Sequence, residues 1–421
     1  MTKPDGTTGR ILMTCWADIE AKTDRYRRFW NRTPVGRPLI GFSVGGWFPL
    51  QSYRAMQRLR GKVALAPDDL NPEEFLDDYE GVVALWDGVE DDMIRGLAPI
   101  PPFPWLEAML GCRVQIGEES IWAEEGGFEY ADLPGVDFTD ENPWRRKYLE
   151  FVATLKRHFG DRVPVGQPIL RGPSDMIAAM RGSSEMIFDF YDHPDDFRRL
   201  AEGCTDFAIG LVRAQHGITG PFAGGYLIEQ LGIWAPGRLA RLQEDSSALF
   251  SPDLYTTLLQ PWDRRMAEAF PYAAIHLHSS SLFLLDRILD IESLGCIQIN
   301  KDVGNAAIAE MMPFFKMVQA RRRSLLIRGK LDLDDLTLLR SHLSPDGLYL
   351  QIVMEIATLG QQGLQINDSS VRYNLKSKPG DYSGLHLLSM MHVGIKLFDP
   401  NADTSSGLDR EYQLAQAMKK P

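Results

Sequence analysis

The sequence predicts an α/β protein whose main part is a TIM barrel, a closed ring of eight parallel strands surrounded by helices. From about residue 160 onward, short apolar runs alternate with longer helical stretches. This alternation is typical of βα units and a parallel sheet. No Gly-x-Gly-x-x-Gly pattern follows any of the short runs, which removes the main reason to expect an open, dinucleotide-binding sheet.

Seven runs have the length and composition of strands, and the barrel requires an eighth. In chain order they are PLIGFSV near residue 40, RVPVGQPIL, RLARLQED, AAIHLHSS, GCIQIN, SLLIRGK and GLYLQIV. Helical stretches separate them, and some begin with a capping residue, as Ser251 does before Pro252. We expect one barrel over residues 1–365, in which residues 1–150 form irregular N-terminal additions. A C-terminal extension over residues 366–421 is expected to pack on the barrel or on a dimer partner.

Composition excludes several classes of protein. The chain has 421 residues, of which 44% are hydrophobic and 24% charged, as in an ordinary globular protein. A formal net charge of −12 argues against a nucleic-acid partner, because neutralising phosphates needs clustered Lys and Arg. The four cysteines lie far apart with no CxxC spacing, which suits a reducing compartment. Neither a signal peptide nor an apolar run long enough for a membrane span is visible, so we expect a soluble, cytoplasmic protein.

Polar residues end most of the predicted strands, which is where such barrels collect their reactive groups. Because alternate residues of a strand share a face, His276 and His278 should point the same way, as should Gln298 and Asn300. Burying unpaired polar groups costs about 1–3 kcal/mol each, so a whole ring of them predicts a site. The catalytic candidates are Asp245, His276, His278 and Arg328. The substrate-binding candidates are Trp47, Gln167, Tyr226, Trp234, Gln298, Asn300 and Gln351.

The aromatic candidates have alternative interpretations. Tyr226 and Trp234 lie in the Gly-rich stretch GPFAGGYLIEQLGIWAPG, which is either a cover over the barrel mouth or a plain surface loop. Trp47, near the end of the first predicted strand, could stack on a planar ligand or plug the core.

Several motifs resemble the uroporphyrinogen decarboxylase superfamily, best over residues 160–360. They are RGPSDMIAAMRGSSEMIFDFYDHPDDFRRLAE, LQEDSSALFSPDLYTTLLQPW, AAIHLHSSS and SLLIRGKLDLDDLTLL, in the family's order and spacing. The resemblance implies a TIM barrel with a cleft at its C-terminal mouth, commonly built as a homodimer.

The departures from the family pattern indicate a divergent member. True uroporphyrinogen decarboxylases carry two N-terminal arginines that hold substrate carboxylates, whereas GFSVGGWFPLQSYR offers only Arg54. A porphyrinogen with many carboxylates needs cationic partners, so true uroporphyrinogen decarboxylation is not expected.

A second branch of the superfamily, the zinc-dependent cobamide methyltransferases, binds zinc through a His-x-Cys pair and a later Cys. Here His276 matches the His, His278 stands in place of the Cys, and the IRGKLD region has no cysteine. Two imidazoles with a carboxylate, Glu244 or Asp245, can hold zinc or another divalent metal.

Three functions remain open at this point. The first is methyl transfer from a corrinoid, supplied by a partner protein, or from a methylated small molecule, with a divalent metal at the barrel mouth. The second is a metal-free, decarboxylase-like lyase acting on a small carboxylated substrate, in which Asp245 steers the substrate and His276 and Arg328 handle protons and carboxylate. The third is a non-enzymatic barrel that binds a ligand or a partner.

Overall fold

A computed structural model of the chain describes residues 8–44, 53–84, 86, 91–117, 120–302, 304–354, 356–360, 363–368 and 371–374. Helices are α1 (Thr8–Asn31), α2 (Arg54–Gln57), α3 (Leu76–Ala84), α4 (Trp105–Met109), α5 (Pro143–Phe159), α6 (Pro173–Arg181), α7 (Ser183–Asp192), α8 (Pro194–Thr219), α9 (Pro252–Leu258), α10 (Gln260–Glu268), α11 (Leu285–Leu289), α12 (Ile308–Ala320) and α13 (Leu333–His342). Strands are β1 (Leu39–Val44), β2 (Val114–Ile116), β3 (Ile121–Ala123), β4 (Tyr226–Ile228), β5 (Ile233–Ala235), β6 (Leu239–Gln243), β7 (Tyr272–Leu277), β8 (Cys296–Lys301), β9 (Ser324–Gly329), β10 (Leu348–Met354), β11 (Ile356–Gly360), β12 (Gly363–Asp368) and β13 (Val371–Asn374).

A six-stranded parallel sheet organises the described part of the chain, in the order β1-β10-β9-β8-β7-β6. Helices connect its consecutive strands: α9 and α10 join β6 to β7, α11 joins β7 to β8, α12 joins β8 to β9, and α13 joins β9 to β10. The predicted mixed α/β fold with a parallel sheet is therefore confirmed, and six of the seven predicted strand runs coincide with sheet strands.

The remaining predicted run, RVPVGQPIL at residues 162–170, forms isolated bridges instead of a continuous strand. Val165 pairs with Leu97 and Gln167 pairs with Ile228, both in parallel. Pro164 and Pro168 interrupt this run and have no N–H to donate to a ladder. These bridged segments are extended chain outside the six-stranded sheet, and closure into an eight-stranded barrel stays a prediction.

Two buried clusters lie on opposite faces of the sheet. The smaller one contains alternate residues of the strands, among them Ala274, Leu326 and Tyr349, and the helices α5, α6, α8, α10 and α12 bury their apolar faces in the larger one. Helix α1 packs into the smaller cluster: the Trp30 indole lies 5.1 Å from the Tyr272 ring, at the first residue of β7. Helix α1 thus lies at the amino ends of the strands, which leaves the carboxyl ends for a site.

Two further expectations concern membrane-spanning helices and the C-terminal extension. Within the described ranges, no helix has both the length and the apolarity that crossing a bilayer would require. Of the predicted C-terminal extension, residues 375–421 lie outside the described part of the chain, so its packing stays a prediction, as does the division at residue 365.

Candidate metal and substrate site

Three side chains with metal-binding atoms meet beyond the carboxyl ends of β6 and β7. His276 lies near the end of β7, His278 follows that strand, and Asp245 follows β6. His276 Nε2 lies 3.2 Å from His278 Nε2, and Asp245 Oδ1 lies 4.0 Å from the first of these atoms and 3.7 Å from the second. The parallel register that pairs Gln243 with His276 places the two strand ends side by side. The predicted convergence of Asp245, His276 and His278 is thus present in the structure.

A chain of hydrogen bonds determines which nitrogen of each imidazole carries a proton. The Asp302 carboxylate can only accept, so Asn300 Nδ2 donates to it at 3.2 Å. Asn300 Oδ1 then accepts from Gln298 Nε2 at 3.0 Å, which leaves Gln298 Oε1 to accept from His276 Nδ1. His278 Nδ1 donates directly to Asp302 Oδ1 at 2.8 Å. Both Nδ1 atoms are therefore protonated, which leaves both Nε2 atoms directed into the space shared with Asp245 Oδ1.

The electrostatic environment distinguishes the two histidines. Burial lowers the pKa of His276 to about 3, and the nearby Arg241 cation acts in the same direction. The hydrogen bond to Asp302 raises the pKa of His278 above its ordinary value. Asp302 also accepts from the backbone N and the hydroxyl of Ser279, at 3.1 and 3.0 Å. These bonds hold the pKa of Asp302 well below its usual range although burial opposes them.

The Asp245 carboxylate is positioned by its neighbours. Gln243 Nε2 donates to Asp245 Oδ2 at 2.6 Å. The buried Asp175 accepts from the backbone N of Asp245 at 3.1 Å and from that of Ser246 at 2.6 Å. Burial and the nearby Asp245 charge raise the pKa of Asp175 to about 7. The turn that carries Asp245 is thus tied to α6, and Asp245 Oδ1 stays directed towards the histidines.

The three atoms fit a divalent ion. In tetrahedral zinc sites the ligand bonds are about 2.0–2.2 Å, so adjacent ligand atoms lie about 3.3–3.6 Å apart, close to the separations between these atoms. Side-chain exposure is 4% for His276 but 35% for His278 and 36% for Asp245. One side of the cluster is therefore open, as in catalytic metal sites, which keep a ligand position for water or substrate.

Glu244, the other carboxylate considered from the sequence, lies apart from this cluster. Its Oε2 accepts from the backbone N of Ser174 at 2.8 Å. Burial raises its pKa well above the ordinary value, and the nearby Asp263 acts in the same direction. Because side chains of consecutive residues diverge, Asp245 rather than Glu244 accompanies the histidines.

The other polar candidates have different positions. Gln298 and Asn300 belong to the chain of hydrogen bonds that orients His276. Gln167 uses its amide on the backbone of Arg241, and Gln351 Nε2 donates to the carbonyl of Gln230 at 3.0 Å. Arg328 is buried on β9, at 4% exposure.

Tyr226 and Trp234 do not join these residues. They belong to the antiparallel hairpin of β4 and β5, so the Gly-rich stretch is neither a cover over the mouth nor a plain loop. Trp234 is fully buried, and its carbonyl accepts from Trp30 Nε1 at 2.8 Å. The Tyr226 ring stacks on His216 with 4.3 Å between centroids. This hairpin packs towards α1 at the amino ends of the strands, because its apolar side chains fill the interior there. Trp47 lies outside the described residues.

Sequence reasoning missed three residues of the site: Asp302, Arg241 and Asp175. The first two continue alternations that were visible, since Asp302 lies two residues after Asn300, and Arg241 two before Gln243. Asp175 had no such signal, because it comes from α6 and reaches the turn only through the tertiary fold.

Comparison with known proteins finds similarity in fold but not in sequence. No family model matches the chain, and no curated protein is similar to it in sequence. Among solved structures, a methyltransferase from Methanosarcina mazei is similar in fold, with a TM-score of 0.53 and 13% identity. The match covers 78% of this chain and 92% of the other. At this identity the likeness concerns the fold alone.

Proposed function

We propose that the protein is a metal-dependent methyltransferase that holds a divalent ion, zinc or a similar metal, between Asp245, His276 and His278. The observation that carries this proposal is the convergence of two imidazole lone pairs and one carboxylate oxygen. Without a cation, the two Nε2 lone pairs would face each other at 3.2 Å. A proton on one ring or a metal ion removes that repulsion, and the nearby carboxylate favours either cation.

The residues of the chain would perform distinct parts of the reaction. Gln298 and Asp302 hold the Nδ1 protons, so each ring offers Nε2 to the metal. When bound, the metal would act as a Lewis acid that lowers the pKa of an acceptor thiol or water. The open side formed by Asp245 and His278 admits the acceptor and the methyl donor. In the transfer itself, the acceptor forms the new bond to carbon and the donor keeps the electron pair of the broken bond.

The donor and the assembly belong to the same proposal. The fold match supports methyl transfer, and the family resemblance adds a corrinoid on a partner protein, or a methylated small molecule, as the donor. The resemblance also supports an eight-stranded closed barrel and a homodimer.

The first test is metal content. Protein purified without an affinity tag should carry about one equivalent of a divalent metal, and His276→Ala should lose it. The metal-loaded protein should then demethylate methylcobalamin when a thiol is added. The change in corrinoid absorbance measures this reaction. Protein that takes up no divalent metal, with His276→Ala indistinguishable from wild type, would contradict the proposal.

A second function has its own support in the structure. Arg241 on β6 and Arg328 on β9 are buried, at 1% and 4% exposure, and the charge of Arg241 acts on Arg328. Buried guanidinium groups suit a carboxylated substrate. This favours the metal-free lyase. That reading predicts CO2 release from a small carboxylic acid by metal-stripped protein, whereas the methyltransferase should be inactive in that assay. Ligand binding without metal or turnover would instead indicate a non-enzymatic barrel.

A further inference from the structure

The sheet face that carries His276 also carries a layer of polar side chains, which follow apolar residues along the strands. Ala274, Leu326 and Tyr349 belong to the buried apolar cluster. Two residues further along the same strands, on the same face, lie His276, Arg328 and Gln351. Arg241 and Gln243 extend this layer on β6, since they follow the apolar Leu239 by two and four residues.

Several atoms of this layer are buried without a hydrogen-bond partner in the described part of the chain. They are Arg241 Nε, Arg241 Nη1, Glu229 Oε2, Gln230 Oε1, Gln243 Oε1 and Gln351 Oε1. A buried polar atom that nothing binds destabilises the fold. A group of this size therefore indicates that water or a ligand occupies the space between them.

Two observations connect the residues of this group. Gln351 Nε2 contacts the carbonyl of Gln230 at 3.0 Å, which joins β10 to the segment that carries Glu229. The Glu229 carboxylate experiences the charges of both Arg241 and Arg328. Glu229 and Gln230 as whole residues are partly exposed, although the two unpartnered oxygens are buried.

Arg241 is the distinctive member of the group. It is 1% exposed, yet its Nε and Nη1 donate to nothing among the described residues. Burial lowers the pKa of Arg241 to about 10, so it remains a cation at neutral pH. The Gln167 side chain forms hydrogen bonds with both the backbone N–H and the carbonyl of Arg241, which hold the residue in place. A buried cation fixed in this way, with two nitrogens that lack an acceptor among the described residues, is suited to an anionic ligand.

We propose that Arg241 binds the carboxylate of the substrate and that the oxygens of Glu229, Gln243 and Gln351 accept from an amine or hydroxyl of the same molecule. The substrate class is then a small α-hydroxy or α-amino acid, held below the metal so that its reactive end reaches His276 and Asp245. This inference rests on the proposed function in one respect only, namely that the layer and the metal cluster serve one substrate.

The test measures binding without activity. The melting temperature of metal-stripped wild-type protein is followed at constant ionic strength against acetate, lactate and alanine, and against the matching amides. Ligand that binds only the folded state raises the melting temperature. We expect lactate and alanine to raise it at lower concentrations than acetate does, and the amides to have no effect.

The Arg241→Gln variant tests whether Arg241 binds the carboxylate of the ligand. Loss of a charge-assisted contact should weaken the apparent affinity for lactate about tenfold or more. The variant itself should be as stable as wild type or more so, because burial disfavours this cation more than the nearby Asp245 and Glu229 charges favour it. The matched control is Arg95→Gln, which breaks a buried ion pair with Asp91 at 2.6 Å and should lower the melting temperature while keeping the lactate response. If Arg241→Gln does not fold, Arg241→Lys retains the charge and should keep a weakened response.

The outcomes separate this inference from the metal proposal. His276→Ala should lose the metal and keep the lactate response. Equal responses to acids and amides, an unchanged response in Arg241→Gln, or no response in Arg241→Lys would each overturn the assignment of Arg241. A failed metal analysis would leave this result unaffected.

Discussion

The side-chain amide of Gln167 takes the place of a strand partner for the backbone of Arg241. Gln167 Oε1 accepts from Arg241 N at 3.0 Å, and Gln167 Nε2 donates to Arg241 O at 3.0 Å. Pro168 follows Gln167 and cannot donate to a ladder, so a side chain satisfies the edge of β6 where a backbone does not. Gln167, a substrate-binding candidate from the sequence, thus forms a structural bridge to β6.

The first prediction tests that bridge. Gln167→Leu leaves the N–H and C=O of Arg241 buried and unpaired, and should lower the free energy of unfolding by about 2–5 kcal/mol. Gln319 makes the same pair of bonds to Ser344, at 2.8 and 3.1 Å, but on the surface. Gln319→Leu should cost less than about 1 kcal/mol, since water replaces the amide. Urea denaturation of both variants measures the difference, and equal losses would mean that the bridge has no special role.

The second prediction concerns the close contact between Gly172 and the end of β6. A Cβ at Gly172 would overlap the Glu244 carboxylate and lie 2.9 Å from the carbonyl of Gln243. Gly172→Ala should therefore destabilise the protein by about 1–3 kcal/mol and weaken metal binding, because Asp245 follows directly. Gly210 lies in α8 with open space around it, so Gly210→Ala should stabilise by about 0.5–1 kcal/mol. Thermal denaturation and metal titration of the pair provide the check, and a tolerated Gly172→Ala would refute the steric argument.

The third prediction concerns the hydrogen bonds behind His276. Gln298→Leu removes the acceptor of the Nδ1 proton, so the ring can rotate or change tautomer. Metal affinity should fall about 10- to 100-fold. Gln260→Leu serves as the control, because Gln260 is also buried but donates to the carbonyl of Arg287, on α11. Competition with a chelator measures both affinities. Equal affinity in Gln298→Leu and wild type would show that the metal does not depend on His276 Nε2.

The fourth prediction concerns acid stability. The His216 ring packs against the rings of Tyr226 and Phe270, and its Nδ1 is buried without a hydrogen-bond partner among the described residues. Burial lowers the pKa of His216 from 6.5 to about 4. Above pH 6.5 the group is neutral in both states. As the pH falls from 6.5 through 4, the unfolded chain takes up the proton first, so stability is lost in that window.

His216→Phe retains the ring contacts and has no proton to bind. Between pH 7.5 and 4.5 it should lose about 2 kcal/mol less free energy of unfolding than wild type. Urea denaturation at the two pH values gives this double difference, and His342→Phe on the exposed end of α13 controls for the loss of an imidazole. An equal loss in His216→Phe and wild type would exclude His216 as the source.

Much of the candidate site could be predicted because it depends on local alternation. Residues two apart on a strand share a face, which is why His276 with His278 and Gln298 with Asn300 were grouped correctly from their spacing. The same rule does not predict which groups a long side chain contacts, or where a hairpin packs in the fold. The sequence therefore offers Trp234 as a substrate-binding candidate, in a cover or a plain loop, whereas its hairpin packs against Trp30. It also names Gln167 by position alone, whereas the Gln167 amide binds the backbone of Arg241.

The order of strand and helix, the parallel sheet and the pairing of two imidazoles at one strand end follow from the amino-acid sequence itself, because periodicity and strand ends are short-range properties. The tertiary structure alone decided that Asp245 faces the histidines and that Asp302 determines their tautomers. It also decided that Arg241 is buried with two nitrogens that have no acceptor in the described part of the chain. Each of these depends on contacts between segments far apart in the chain, where a displacement of one residue changes which face is buried.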